Sequence, residues 1–336
     1  VINFSGEALE GYHAQFRGAL MRTLVVGAGG TGGYFGGRLL EAQRDVTFLV
    51  RPRRAARLAA NGLVIKSPFG DVHYPNPPMI QADALASSGQ QYDLVLLSCK
   101  AYDLEDAIAS FAPAVGPNTV ILPLLNGMRH IDVLEQRFGA QAVLGGLCMI
   151  AGTLDDAGQI LHLNNVHSIV FGERDGSRPA RMTAVAEEMA HGRFDSRLSE
   201  SIVQDMWDKW VFIGTGAGIT SLMRASVGDI EQAGGAAIAA ALLDECAAVA
   251  TAAGFTPTPA SLERGLATFT APGSTLTASM YRDIERGGRT EAEHVLGDLL
   301  RRGKRADDAH SILRAAYTHV AAYEIGRARR EGQASK

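Results

Sequence analysis

Short apolar runs alternate with amphipathic stretches over the first half of the chain, and the pattern then changes to almost unbroken helix. Leu24 to Val26, Val46 to Val50, Leu63 to Lys66, Leu94 to Ser98, Val120 to Leu122 and Val143 to Ile150 read as strands. Tyr34 to Ala42, Ala55 to Asn61, Leu104 to Phe111 and Ile131 to Phe138 carry helical periodicity between them. Strands alternating with helices in this way predict an α/β fold with a doubly wound parallel sheet. Ile160 to Leu163 and Ser168 to Phe171 are expected to add antiparallel strands at the sheet edge, and a helix from Arg181 to Met189 to close the domain. From about Ser199 the reading is helical throughout: Ile202 to Thr215, Ala236 to Ala253, Ser261 to Thr268, Glu291 to Arg302 and His310 to Arg330. Gly254 with Pro257, and Pro272 with Gly273, act as stop signals between helices. The expected organisation is an extension over residues 1–20, a sheet domain over 21–198 and an all-helical domain over 199–332. Met21 stands directly before the first strand and is the expected native start.

The first strand runs into Gly27-Ala28-Gly29-Gly30-Thr31-Gly32 and then into a helix. Gly27 permits the tight turn, Gly29 lets backbone approach a pyrophosphate, and Gly32 lets the helix pack closely on the sheet. The helix N-terminus would then face the phosphates. This is a Rossmann-type dinucleotide cradle, with Gly27, Ala28, Gly29, Gly30, Thr31 and Gly32 as its cofactor residues. After the second strand an NAD site places an acid on the ribose, whereas this chain reads Val50-Arg51-Pro52-Arg53-Arg54. A guanidinium meets a 2′-phosphate with paired donors and opposite charge, so the expected cofactor is NADP(H), with Arg51 as the contact. Arg53, Arg54 and Arg57 suit the solvated face of the next helix.

A chain of 336 residues, 46% of them hydrophobic, can build two cores, and a net charge of −4 gives no reason to expect a nucleic-acid partner. No run of about eighteen apolar residues suggests a membrane span, and the expected location is cytoplasmic. Cys99, Cys148 and Cys246 are widely separated, which fits a reducing compartment. His162 and His167 lack metal-ligand spacing, so no metal is expected.

A cofactor domain joined to a helical domain implies hydride transfer in the cleft between them, and the protein must then supply a proton donor and groups that fix the substrate. Lys100 follows one strand and Asn126 the next, both at the carboxyl edge of the sheet where ligands bind in this fold. In the helical part, Trp207-Asp208-Lys209-Trp210, Ser279-Met280-Tyr281-Arg282-Asp283 and Arg289-Thr290-Glu291 carry candidate groups, each equally consistent with a solvated helix face.

In order, the glycine cradle, Cys99-Lys100-Ala101, Leu124-Leu125-Asn126-Gly127, Trp207-x-Lys209, and Ser279-Met280-x-x-Asp283 with Thr290-Glu291 resemble the ketopantoate reductase (2-dehydropantoate 2-reductase) family. The likeness runs from Met21 to about Arg330. It implies a helical domain similar to that of 6-phosphogluconate dehydrogenase, and NADPH-dependent reduction of 2-dehydropantoate to pantoate. Lys209 would be the general acid, and Glu291 would engage the substrate hydroxyl and position Lys209. Ser279 would sit near the substrate carboxylate, with Lys100 and Asn126 lining the junction of nicotinamide, ribose and substrate. The chain departs from the family where asparagines are expected to hold the substrate: the turn after Lys209 reads Trp210-Val211-Phe212-Ile213, and Ile219 to Arg224 again lacks the amide. Thr220, Ser221 or Arg224 could compensate. The departure leaves open an NADPH-dependent reductase of another 2-oxo acid or small carbonyl compound, or a non-catalytic NADPH-binding sensor that would not need Lys209 and Glu291. The Ala-rich helix Ala236 to Ala253 suits the core by default, or a homodimer interface.

Overall fold

The computed structural model describes residues 20–303 and 309–334. The extension expected over residues 1–20 therefore lies, as far as residue 19, outside the described residues. The chain divides into two compact units, one formed by the chain up to Leu125 together with His130–Val203, the other by Asn126–Arg129 and Gln204 onward.

In the first unit, strands β1 (Thr23–Val26), β2 (Val46–Leu49), β5 (Met79–Ile80), β6 (Tyr92–Leu97) and β7 (Val115–Pro123) form an all-parallel sheet in the order β5-β2-β1-β6-β7. The central strands β1 and β6 are buried nearly throughout, as a sheet covered on both faces requires. The chain leaves β1 toward β2 on one side and returns to β6 on the other. Between the carboxyl ends of β1 and β6 the strand order reverses, and a ligand crevice opens at such a point.

Four segments expected in or beside this sheet, Leu63 to Lys66, Val143 to Ile150, Ile160 to Leu163 and Ser168 to Phe171, pair elsewhere. β3 (Leu63–Lys66) joins β4 (Val72–Tyr74), β9 (Gly152–Leu154) and β10 (Ile160–His162) in a second sheet ordered β4-β3-β10-β9. The reason is visible in its alternation: Leu63 and Ile65 are buried while Lys66 is exposed, which suits a sheet with one covered face. β8 (Gly145–Met149) and β11 (Ser168–Gly172) pair antiparallel, and β12 (Asp195–Leu198) adds parallel to β11, giving a third sheet. One parallel bridge, Ile121 to Val143, ties the start of that segment to β7.

Helix α1 (Gly32–Glu41) packs against both of the first two sheets. A side chain at Gly36 would strike Phe48 of β2, and one at Gly37 would strike Ile65 of β3. The glycines past the cradle thus serve packing. The unit also contains α2 (Pro52–Asn61), α3 (Ala82–Ser88), α4 (Leu104–Phe111), α5 (Arg129–Phe138), whose first residue clusters with the second unit, and α6 (Ala180–His191).

The second unit is helical. Its axis is α7 (Ile202–Met223), which runs two turns beyond its expected end and carries no charge after Lys209. An uncharged helix of this length belongs in a core. Gly214 and Gly218 let Leu299 and Leu242 approach it closely. Around it lie α8 (Val227–Gln232), α9 (Ala236–Ala252), α10 (Pro259–Phe269) and α11 (Ser279–Glu285). The stretch expected as one helix from Glu291 is a π-helical segment, Glu293–Gly297, followed by α12 (Asp298–Arg302); α13 (Ile312–Ala334) completes the unit. Ser226 and Asp229 form a capping box on α8, and Thr258 caps α10. Among the described residues no helix is long and apolar enough to cross a membrane.

Candidate active site

A groove of about 500 Å³ lies at the carboxyl ends of β1, β2 and β6. Gly27, Ala28 and Gly29 line it, with Arg51, Arg54, Ser98 and Lys100. Gly27 has φ of +94°, a left-handed turn that favours glycine, and the space beside the Gly29 α-carbon is open to 4 Å. Gly32 is pinned from behind, since a side chain there would lie 2.0 Å from Ser98 Oγ. Gly30 faces away from the groove lining and backs onto the Gly152 carbonyl, while Thr31 precedes α1 without a side-chain cap. An open α-carbon at Gly29, a tight turn at Gly27 and the adjoining N-terminus of α1 fit the pyrophosphate of a dinucleotide.

Arg51 is at the groove, solvent-exposed, and paired with Asp103 at 3.2 Å and Asp106 at 3.8 Å. No acid follows β2 in sequence, yet folding brings Asp83, Asp103 and Asp106 to the same groove. Arg54 turns inward. Its Nε donates to the Ala28 carbonyl at 2.9 Å and its Nη1 to the Gly158 carbonyl at 2.7 Å, so it fastens the cradle to the turn between β9 and β10. Burial lowers its pKa, with Arg57 adding to the effect.

A separate cavity of about 140 Å³ lies within the helical unit. Phe212, Ile213, Gly216, Ala217 and Thr220 of α7 form one wall, following the helical spacing that begins at Lys209. Lys209 is one turn N-terminal of Phe212 and Ile213 on that stripe and is not itself among the lining residues. Phe269, Leu276, Met280 and Val295 add apolar surface; Asn126, Thr277, Ser279, Asp283 and Glu291 add polar groups. Four residues separated by up to 165 positions, Asn126, Thr220, Ser279 and Glu291, thus meet in one cavity.

The loop carrying Leu276 to Ala278 is held by hydrogen bonds. Gly228 and Val227, at the start of α8, donate to Ser274 and Leu276 carbonyls at 2.7 and 3.0 Å. Ala278 N–H donates to Thr220 Oγ1 at 3.3 Å, and Arg282 donates to the Thr277 carbonyl. Glu291 precedes the π segment, its carbonyl accepting from His294 and Val295 N–H at 3.1 and 2.9 Å. Asn126 is positioned by the same segment. A Cβ at Gly127, whose φ is +79°, would lie 3.0 Å from the His294 carbonyl, and an Asn126 backbone group hydrogen-bonds the His294 imidazole. Burial pushes the His294 pKa below its ordinary value against the opposing pull of Glu291 and Asp298. π segments recur at functional sites.

Arg224 is outside this lining. It is exposed, has φ of +54°, and pairs with Glu285 at 2.5 Å. Lys100 lines the groove of the first unit and Asn126 the cavity of the second. Sequence reasoning missed Arg54, Asp103, Phe269 and His294. Only His294, three residues past Glu291 in a helical pattern, left any local trace.

Residues 23–176 match the family model described as ketopantoate reductase PanE/ApbA, and residues 201–324 match that for its C-terminal part. The chain belongs to the ketopantoate reductase family. A family relative, "Uncharacterized oxidoreductase YkpB" of Bacillus subtilis, is 39% identical over 90% of this chain and 99% of its own. The crystal structure of 2-dehydropantoate 2-reductase from Geobacter metallireducens superposes with a TM-score of 0.80 at 26% identity, covering 90% of this chain and 99% of the other. A D-mandelate dehydrogenase solved with NADH and anilino(oxo)acetate shares the fold, with a TM-score of 0.80 at 21% identity over 91% and 99% of the two chains. The protein is thus an oxidoreductase of the ketopantoate reductase family, with its Rossmann-type and helical parts both present.

Proposed function

We propose that the protein reduces a 2-oxo acid to the 2-hydroxy acid with NADPH, using Lys209 as general acid. The observation that carries this reading is the meeting of Asn126, Ser279 and Glu291 in one cavity whose α7 wall is in helical phase with Lys209. The bound nicotinamide supplies a hydride to the carbonyl carbon. The Lys209 ammonium gives a proton to the carbonyl oxygen and, as a cation, stabilises the charge developing there. Glu291 accepts a hydrogen bond from the hydroxyl so formed and orients Lys209. Ser279 and Asn126 offer a hydroxyl and an amide to the carboxylate end of the substrate. In the first unit, Gly27 to Gly29 cradle the pyrophosphate, Lys100 lines the same groove, and Arg51 turns from Asp103 to the 2′-phosphate.

The similar solved structures include a 2-dehydropantoate 2-reductase and a D-mandelate dehydrogenase, and the carbonyl next to a carboxylate is the element their chemistry shares. The test is loss of NADPH absorbance with a panel of 2-oxo acids, 2-dehydropantoate included, for the wild type and Lys209→Met. Turnover by the wild type that falls at least about 100-fold in the variant, with NADPH affinity retained, supports the reading. Equal turnover by both removes Lys209 from the role of acid.

A further inference from the structure

The wall of the cavity that follows Lys209 is apolar and offers a substrate no side-chain hydrogen-bond donor. One and two turns beyond Lys209 on α7 stand Ile213 and Ala217, beside Phe212 and Gly216, and all four line the cavity. The remaining lining residue of that helix, Thr220, donates its hydroxyl to the Gly216 carbonyl at 2.7 Å and accepts from Ala278 N–H at 3.3 Å. Its proton and one of its two lone pairs are used in structure, so it has no donor left for a substrate. The polar groups Asn126, Thr277, Ser279, Asp283 and Glu291 all come from other segments.

Packed on α7, Phe269 completes the apolar wall, its ring 4.7 Å from that of Phe212 at 42°. That ring sits where it does because residue 216 is glycine: a Cβ there would lie 2.8 Å from Phe269 Cε1. Gly216 therefore sets how much of the cavity the Phe269 ring leaves open. A hydroxyl buried against Ile213, Ala217 and the two rings would lose its water without gaining a partner, which disfavours a polar tail there.

Resting on the reading of this cavity as a 2-oxo acid site, we propose that the substrate carries an apolar, hydroxyl-free side chain of branched-alkyl to phenyl size. Ile213, Ala217 and the Phe212–Phe269 pair receive it, with Gly216 setting the depth. A polar-tailed acid such as 2-dehydropantoate is then a poor substrate.

The experiment compares kcat/KM for 2-oxo-3-methylbutanoate, 2-oxo-4-methylpentanoate, phenylglyoxylate, 2-oxobutanoate and 2-dehydropantoate in the wild type, Ile213→Asn and Gly216→Ala. Calorimetric binding of the matching 2-hydroxy acids to the NADP-loaded protein is measured alongside. The expected result is a preference of about 10-fold or more for the branched or aryl acids over 2-dehydropantoate, narrowed or reversed by Ile213→Asn. Gly216→Ala should cost phenylglyoxylate about 10-fold or more while 2-oxobutanoate changes little, and this holds as a second test if Ile213→Asn does not fold. A wild type that favours 2-dehydropantoate overturns the inference and leaves the oxo acid reading standing. Binding of apolar hydroxy acids with no turnover of any oxo acid supports the pocket assignment and overturns the catalytic reading. Neither binding nor turnover overturns both.

Discussion

The guanidinium of Arg54 reaches the carbonyl of Ala28 across 2.9 Å, and with its other arm grips Gly158. The cradle is thereby fixed by a side chain from α2 rather than by its own backbone alone. Charged hydrogen bonds of this kind are worth about 1.5–3 kcal/mol each, and part of that loss should appear in ligand affinity. Arg54→Met is expected to weaken NADPH binding about 10-fold, measured by fluorescence titration of the nucleotide; unchanged affinity would limit Arg54 to a structural role.

On the proposed reading, cofactor choice should run through Arg51. Because Asp103 and Asp106 already pair with it, a 2′-phosphate must take it from those carboxylates. Arg51→Ala should lower the ratio of NADPH to NADH efficiency about 10-fold, whereas Asp103→Asn should raise it by freeing the guanidinium. A preference for NADH in the wild type, strengthened rather than weakened by Asp103→Asn, would assign the groove to NAD.

Gly30 and Gly152 exclude side chains from each other. A Cβ at position 30 lies 2.6 Å from the Gly152 carbonyl oxygen, and one at 152 lies 2.7 Å from the Gly30 carbonyl oxygen. Either substitution by alanine must push backbone against backbone, at a cost of about 1–3 kcal/mol. The double variant should be no better than the worse single one, which thermal unfolding of the three proteins can establish.

Acid should weaken the first unit through His167. Its ring stacks on Phe69 at 3.7 Å, Nδ1 meets Tyr34 Oη at 2.7 Å, and burial, His162 and Arg38 lower its pKa below 6.5 against the pull of Asp195. The native state then binds fewer protons than the unfolded chain just below that value, so stability is full above about pH 6.5 and declines as pH falls toward the native pKa. His167→Gln should flatten the fall of melting temperature between pH 7 and about 5, leaving the smaller slope owed to His294, which is pushed in the same direction. An unchanged slope would show that His167 does not govern it.

Trp210 is fully buried and donates its indole N–H to the Val295 carbonyl at 2.9 Å, while Val295 itself lines the cavity. Trp210→Phe leaves that carbonyl without its donor, a loss of about 1–3 kcal/mol, and should raise KM more than it lowers kcat. Steady-state kinetics beside a melting curve separate the two effects.

Much of this architecture is legible from local pattern. The turn at Gly27, the packing glycine at Gly32 and the central strands depend on neighbours in sequence, and the switch to helix near Ser199 is a change of period. What was not legible depends on partners far along the chain. β3 and β11 have strand-like composition, but nothing in Leu63 to Lys66 says that it pairs with Ile160 rather than with Val46. Arg54 reads as a solvated helix residue until the β9–β10 turn brings the Gly158 carbonyl to it. The same holds for the cavity: Asn126, Thr220, Ser279 and Glu291 were singled out one by one, while Phe269 and the spent hydroxyl of Thr220 emerge only from packing.

The π segment at Glu293–Gly297 has a consequence for how this chain can change in length. A π turn accommodates one residue more than an α turn, and each residue of an α-helix advances the direction of its side chain by roughly 100°. Leu296, Leu299 and Leu300 anchor the downstream stretch in the core. Removing one residue between Glu293 and Gly297 would restore an ordinary helix and leave Glu291 in phase with those leucines, because the π turn holds its extra residue without rotating the turns on either side. This short stretch can therefore lose a residue with the carboxylate still aimed, whereas the same loss within Asp298–Arg302 would rotate the leucines on either side of it by roughly 100° against each other.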